Sequence, residues 1–210
     1  MQKGQGNRRS RSRRAARRRA RFFRAALAAM LALGLVGAAA IIFTNQMTER
    51  SLKKYPLEYT ELIEQNAAEQ GLEPAYVAAV ILAESSYDPS AVSQVNAQGL
   101  MQIMPSTAEW IAGKFDEAYV DGSLFDPATN IRYGCWYLGF LMRRYDGDKR
   151  CSSAAYHSGQ GTVDEWLKNP AYSSDGRTLD VIAGPNADTY VNRVMEYYEK
   201  YSEIYARQAA

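Results

Sequence analysis

Glu84 closes a run of nine residues, Ala75 to Ala83, that carries no charge and no strongly polar side chain. A carboxylate at the end of an apolar helix is costly to ionise, so its pKa is expected to rise. A carboxylic acid that keeps its proton near neutral pH is what protonating a leaving group requires. On position alone a second reading stays open, that of an acid reaching solvent past its helix end. Downstream come two turn-rich segments and then a compact apolar piece, Gly99-Leu100-Met101-Gln102-Ile103-Met104-Pro105. The nearest other acid, Asp88, stands before Pro89 at a helix stop and reads as a turn or capping residue, not as a catalytic partner.

Composition removes other chemistries. With two cysteines and one histidine, the chain lacks the ligands of a usual Cys/His zinc cluster. No metal and no cofactor is expected. Cys135 falls about 15 Å before the end of its expected helix at Tyr145, and Cys151 lies just past the following turn. Between antiparallel helices that separation exceeds the Cα distance a disulfide tolerates, so two separate buried thiols are expected.

The elements that must position Glu84 are helical. Leu57 to Gln70 is expected as a helix stopped by Gly71. Pro74 opens a nearly all-apolar helix to about Ser86, the mark of a central, buried element. Ser106 or Thr107 begins a helix to about Phe115, and 116–125 reads as a loop. Asp126-Pro127 is a start signal for a helix to about Tyr145, with Ile131, Cys135, Leu138, Leu141 and Met142 at roughly helical spacing. Shorter helices follow over Arg150 to Ser158 and Val163 to Lys168. Residues 169–186 read as a loop, and a tyrosine-rich helix runs from Ala187 to about Tyr205. No period-two alternation stands out, so the domain at 57–205 is expected to be all-α.

Ahead of it the chain changes character. Residues 1–24 hold one Lys and ten Arg without an acid, whereas the remainder holds 14 basic against 23 acidic residues, a net of −9. Residues 25–43 contain no charge, and as a helix they would extend about 28 Å, close to a bilayer core. The arginines on their N-terminal side place residues 1–24 as a cytoplasmic head, 25–43 as a transmembrane helix, 44–56 as a stalk and the domain outside the cell membrane. Ala38-Ala39-Ala40 resembles a cleavage site, but the apolar run continues through Ile41-Ile42-Phe43, which favours an uncleaved anchor. Arginines beside a membrane span fix topology and touch anionic lipid, so no nucleic-acid partner is expected.

Several motifs, in order, resemble one family. Glu84-Ser85, Pro89, Ala91, Ser93, the piece from Gly99 to Pro105, and Thr107-Ala108 resemble the catalytic segment of the lytic transglycosylases of the soluble type. This group is family 23 of the glycoside hydrolases, lysozyme-like in fold and related to goose-type lysozyme. Asp126-Pro127, Asn130-Ile131, Gly134 and Tyr137-Leu138 are similar to the family's middle helix. Ala154-Ala155-Tyr156-His157-Ser158-Gly159 is similar to its Ala-Tyr-Asn-Ala-Gly motif, and Tyr190-Val191 with Val194 to its last helix. The sequence departs from the family at His157, where an Asn is usual, at Asn96 in place of a Gly, and at Asn186 in place of a last-helix Glu.

The resemblance implies cleavage of the N-acetylmuramic acid–N-acetylglucosamine β-1,4 bond of peptidoglycan. One Glu acts as acid and then as base on the muramoyl C6 hydroxyl, giving a 1,6-anhydro product. By matching positions Glu84 is the acid/base and Tyr156 the residue expected to hydrogen-bond it. Ser93, Gln102, Met104 and His157 are expected to line the sugar pocket, with Tyr190 closing one side. Met101 is expected in the core, and Gly99 at a close backbone approach or a positive φ. Two alternatives stand beside this reading: a muramidase that uses water on the same bond, and a weakly catalytic wall-binding scaffold of an envelope apparatus.

Overall fold

The computed structural model describes residues 30, 34–43 and 53–208. The chain divides into two compact units, Met1–Lys54 and Tyr55–Ala210. In the first, residues 34–43 are helical. The expected span over 25–43 lies partly outside the described residues, as do the basic head and most of the stalk. Among the described residues no helix is long and apolar enough to cross a membrane.

Among its described residues the second unit contains seven α-helices: α1 (Thr60–Gln70), α2 (Pro74–Ser85), α3 (Pro105–Ala112), α4 (Pro127–Arg144), α5 (Lys149–Ser158), α6 (Gln160–Lys168) and α7 (Pro185–Gln208). Among the described residues there is no strand, only isolated antiparallel bridges pairing Gln98 with Val92 and with Ile103. The expected starts and stops hold within a few residues. The loop over 116–125 contains one unanticipated element, a 3-10 turn at Ser123–Phe125.

α2 is the axis of the unit. Every residue from Ala75 to Ile81 is buried, and the helix packs chiefly against α7. An apolar surface all round needs neighbours all round, and α1 supplies another. Pro74 starts the helix, and Ser86 ends it in the left-handed region at φ 55°. Tyr87 follows at φ 67°, so two successive non-glycine residues turn the chain sharply away just after Glu84. Asp126 and Asp148 cap α4 and α5 by accepting from Thr129 N–H and Cys151 N–H. Both cysteines are buried and unbridged.

Candidate active site

The segment from Ser86 to Met104 is a folded loop that lies over the end of α2, and its shape is set by backbone hydrogen bonds and a few side chains. Gly99 sits at φ 75°, and a Cβ there would overlap the Leu124 carbonyl oxygen and the Asn130 amide. Both expectations for this glycine, positive φ and close approach, are met. Asn130, fully buried on α4, accepts from Met101 N–H at 2.7 Å and donates at 2.8 Å to the carbonyls of Gln98 and Leu124. Ser85 Oγ donates to Leu100 O at 2.8 Å, tying the loop to the end of α2. Met101 is fully buried, as expected, against Gly134, where a Cβ would collide with it. Asn96 takes the left-handed conformation at φ 66° in place of glycine.

Between this loop and α5 lies a cavity of about 240 Å³ lined by Glu84, Ser93, Val95, Ala97, Gln102, Met104, Tyr156 and His157. Six of the seven residues singled out in the sequence therefore meet at one hollow, and the seventh, Tyr190, stands behind it. Val95 and Ala97 were not anticipated; they follow from the loop's path, which single residue types do not reveal. Ser93 Oγ also accepts from Ala97 N–H, and Gln102 Nε2 donates to the carbonyls of Ala91 and Gly99, so both side chains hold the loop as well as face the cavity.

Glu84 is partly buried at the cavity floor. Removal from water pushes its carboxyl up to about 7, against the opposing pull of a hydrogen bond from Tyr190 and of the Arg193 charge. The structure corrects one expectation here. The hydroxyl that donates to Glu84 Oε1, at 2.7 Å, belongs to Tyr190 on α7. The Tyr156 hydroxyl instead donates to Met101 O at 2.8 Å. The reason is reach: α5 passes beside the Leu100–Met101 backbone, whereas the buried Tyr190 projects from the helix packed on α2. Tyr156 still faces Glu84 across the cavity, and the neighbouring carboxylate adds to the burial that holds its phenol protonated.

His157 stacks on Tyr190 with ring centroids 4.5 Å apart and planes 16° from parallel. Burial first, and then the Arg193 charge, lower its pKa, so the imidazole stays neutral near pH 7. Arg193 was not anticipated as part of the site; it lies one helical turn past Tyr190 on α7. Asp88 is exposed, with its carboxylate accepting from Ser90 N–H and Ser90 Oγ, the turn role expected of it. Among the described residues no group of acids, histidines and cysteines is placed to hold a metal ion. A wider hollow of about 380 Å³ lies at the start of α7, lined by Arg150, Asp180, Asp188 and loop residues. It contains no buried acid.

A helical unit whose central helix ends in a single acid facing a cleft has the build of the lysozyme-like domains. Residues 61–177 match the family described as Transglycosylase SLT domain, and the chain belongs to that family. It is 36% identical over 149 residues to the soluble lytic murein transglycosylase of Escherichia coli K12, covering 69% of this chain and 23% of that protein. It is 30% identical over 173 residues to the membrane-bound lytic murein transglycosylase C of Actinobacillus pleuropneumoniae, covering 70% of this chain and 46% of that one. The crystal structure of the 70-kDa soluble lytic transglycosylase of E. coli superposes with a TM-score of 0.67 at 30% identity, over 76% of this chain and 26% of that one. The lytic transglycosylase Slt of Pseudomonas aeruginosa, in an inactive glutamate-to-glutamine mutant, gives 0.66 at 30% identity over 72% and 25%. The chain thus spans less than half the length of each of these relatives.

Proposed function

We propose that the chain is a membrane-anchored lytic transglycosylase that cleaves the N-acetylmuramic acid–N-acetylglucosamine bond of peptidoglycan. The observation that carries this reading is Glu84, a cavity-facing acid pushed up to about 7 and the only carboxyl group among the residues that line the cavity. Glycosidases of the usual kind need a second carboxylate across the scissile bond, as nucleophile or as base. This cavity offers none.

One acid suffices when the substrate supplies the nucleophile. Protonated Glu84 gives its proton to the glycosidic oxygen as the bond from C1 to that oxygen breaks, and the N-acetylglucosamine side leaves as an alcohol. The Glu84 carboxylate, now steadied by the Tyr190 hydroxyl and the Arg193 charge, takes the proton of the muramoyl C6 hydroxyl. That oxygen bonds to C1 and closes the 1,6-anhydro ring. Glu84 ends the cycle protonated, no water is consumed, and the substrate's acetamido oxygen helps to stabilise C1. Tyr156, by holding the Met101 carbonyl, fixes the wall of the pocket that Ser93, Gln102 and Met104 complete. Support also comes from relatives that bear the name lytic murein transglycosylase.

His157 favours one second reading. An imidazole kept neutral in the cavity is able to take a proton from water, which would make the chain a muramidase. Mass spectrometry of digested peptidoglycan separates the two. Anhydromuramoyl ends are expected; reducing muramoyl ends without anhydro product would overturn the transglycosylase reading. Glu84→Gln removes the proton while keeping the shape, and lytic activity is expected to fall by about a hundredfold or more.

The anchor is part of the same proposal. The uncharged stretch over 25–43, the arginines before it and the helical state of 34–43 support a single span. The head would lie in the cytoplasm and the domain on the wall side.

A further inference from the structure

The cavity does not end in plain polar surface. The Tyr156 ring that lines it touches Tyr137 on α4, centroid to centroid 5.4 Å. Tyr137 touches Trp110 on α3 at 6.3 Å and stacks with Phe140 at 6.3 Å and 11°. Trp110 meets Trp136 and Phe140 edge-on at 5.2 and 5.4 Å, and those two rings stack at 5° from parallel. An unbroken aromatic band therefore runs from the active-site cleft outward across α4 to α3.

This band packs against the hydrophobic core without being closed over by it. The aliphatic side chains of the same helices, Ile111, Leu138 and Leu141, are fully buried, whereas Trp110 is 38% exposed and Trp136, Tyr137 and Phe140 are only partly covered. Tyr133, by contrast, is a ring of α4 that does go into the core. A contiguous ring surface at the water boundary marks a binding face more than a packing need.

We propose that this aromatic band is a further saccharide-binding surface, which receives the glycan strand where it leaves the Glu84 cavity. The inference rests on the proposed function for the identity of that strand. A pyranose presents flat C–H faces and hydroxyl edges. The rings cover the first by dispersion contact, and the Trp110 indole N–H and the Lys114 ammonium, 5.6 Å from the Trp110 ring centre, stand ready for the second. A membrane surface fits less well. The loop beside the band carries Asp116, Asp121 and Asp126, all exposed, besides Glu117, which is paired with Arg132, and a negative leaflet would repel the three aspartates.

The test needs no turnover. The full chain in detergent, carrying Glu84→Gln, is sedimented with purified insoluble peptidoglycan. Adding Trp110→Ala is expected to weaken the apparent affinity for peptidoglycan about fivefold, the worth of one lost ring contact, while Trp110→Tyr restores most of it. Peptidoglycan affinity unchanged by Trp110→Ala would overturn the surface. So would failure of Trp110→Tyr to rescue, because the ring would then serve only to seal α3 on α4. A wild type that yields no anhydro product counts against the activity alone, since the binding comparison does not depend on cleavage.

Discussion

At the scale of single residues, the proposed mechanism makes one carboxyl group held against water decide when the site works. Glu84 must be protonated in the free protein to act as an acid, so kcat/KM is expected to fall about tenfold per pH unit above the value of about 7 to which burial raises it. Tyr190→Phe deletes a hydrogen bond that favours the ionised form. The alkaline limb should therefore move to higher pH even as the best rate drops, and a limb that stays in place would remove Tyr190 from the tuning of Glu84. The same burial has a cost in stability. A pKa raised above its unfolded value gives stability that is present at low pH and is lost as pH climbs through 7. Between pH 5 and 8 the wild type should lose on the order of 2 kcal/mol relative to Glu84→Gln, which has no proton to release; chemical unfolding at the two pH values checks it. The raised pKa was legible in the sequence, because an apolar run leading into one Glu leaves that group little water. The tyrosine that bonds it was not. Tyr156 and Tyr190 are both near, and only the path of the α5 and α7 backbones settles which hydroxyl reaches the carboxylate and which is spent on Met101 O.

At the scale of elements, the pocket wall is a loop that would not keep its shape unaided, and α4 supplies the support. Helix starts and stops were readable from Pro74, Asp126-Pro127 and Gly71, since capping is a local matter. Gly99 and Met101 were readable as a tight approach and a core residue. The receiving side was not: Asn130 was visible only as one letter of a motif, and its two bonds to Gln98 and Met101, some thirty residues earlier, have no local signature. Its removal is expected to be severe. Asn130→Ala strands the buried Met101 N–H and frees the carbonyls of Gln98 and Leu124, a loss on the order of 3 kcal/mol. Gly99→Ala should cost at least as much, because a side chain at φ 75° is strained and also meets the Leu124 carbonyl and Asn130. Urea unfolding measures both. A loss below about 1 kcal/mol for Asn130→Ala would mean that the loop finds other partners.

At the scale of the whole molecule, the division into Met1–Lys54 and Tyr55–Ala210 sets where the chain can be cut. Tyr55 is buried, with edge-on contacts to Tyr197 and Tyr201 at 6.1 and 5.8 Å, and Tyr201 Oη donates to Pro56 O at 2.8 Å. The start of the second unit is therefore clasped to the far half of α7, and the expected border at 57 falls just inside that clasp. A chain beginning at Lys53 should unfold in one cooperative transition and, on the proposed function, match the full chain in cleaving soluble muramoyl glycans. A chain beginning at Leu57 gives up two aromatic contacts and the Pro56 acceptor, and should be less stable by about 2 kcal/mol. The cut at Lys53 also tests the anchor. The full chain is expected in the membrane fraction, released by detergent and not by high salt, while the shortened chain stays in solution. Release of the full chain by salt alone would mean that its eleven basic head residues hold it electrostatically to anionic lipid, and a mature N-terminus near Ile41 would mean that the apolar stretch is a cleaved signal. Detergent dependence together with an intact N-terminus is the result expected of a spanning helix.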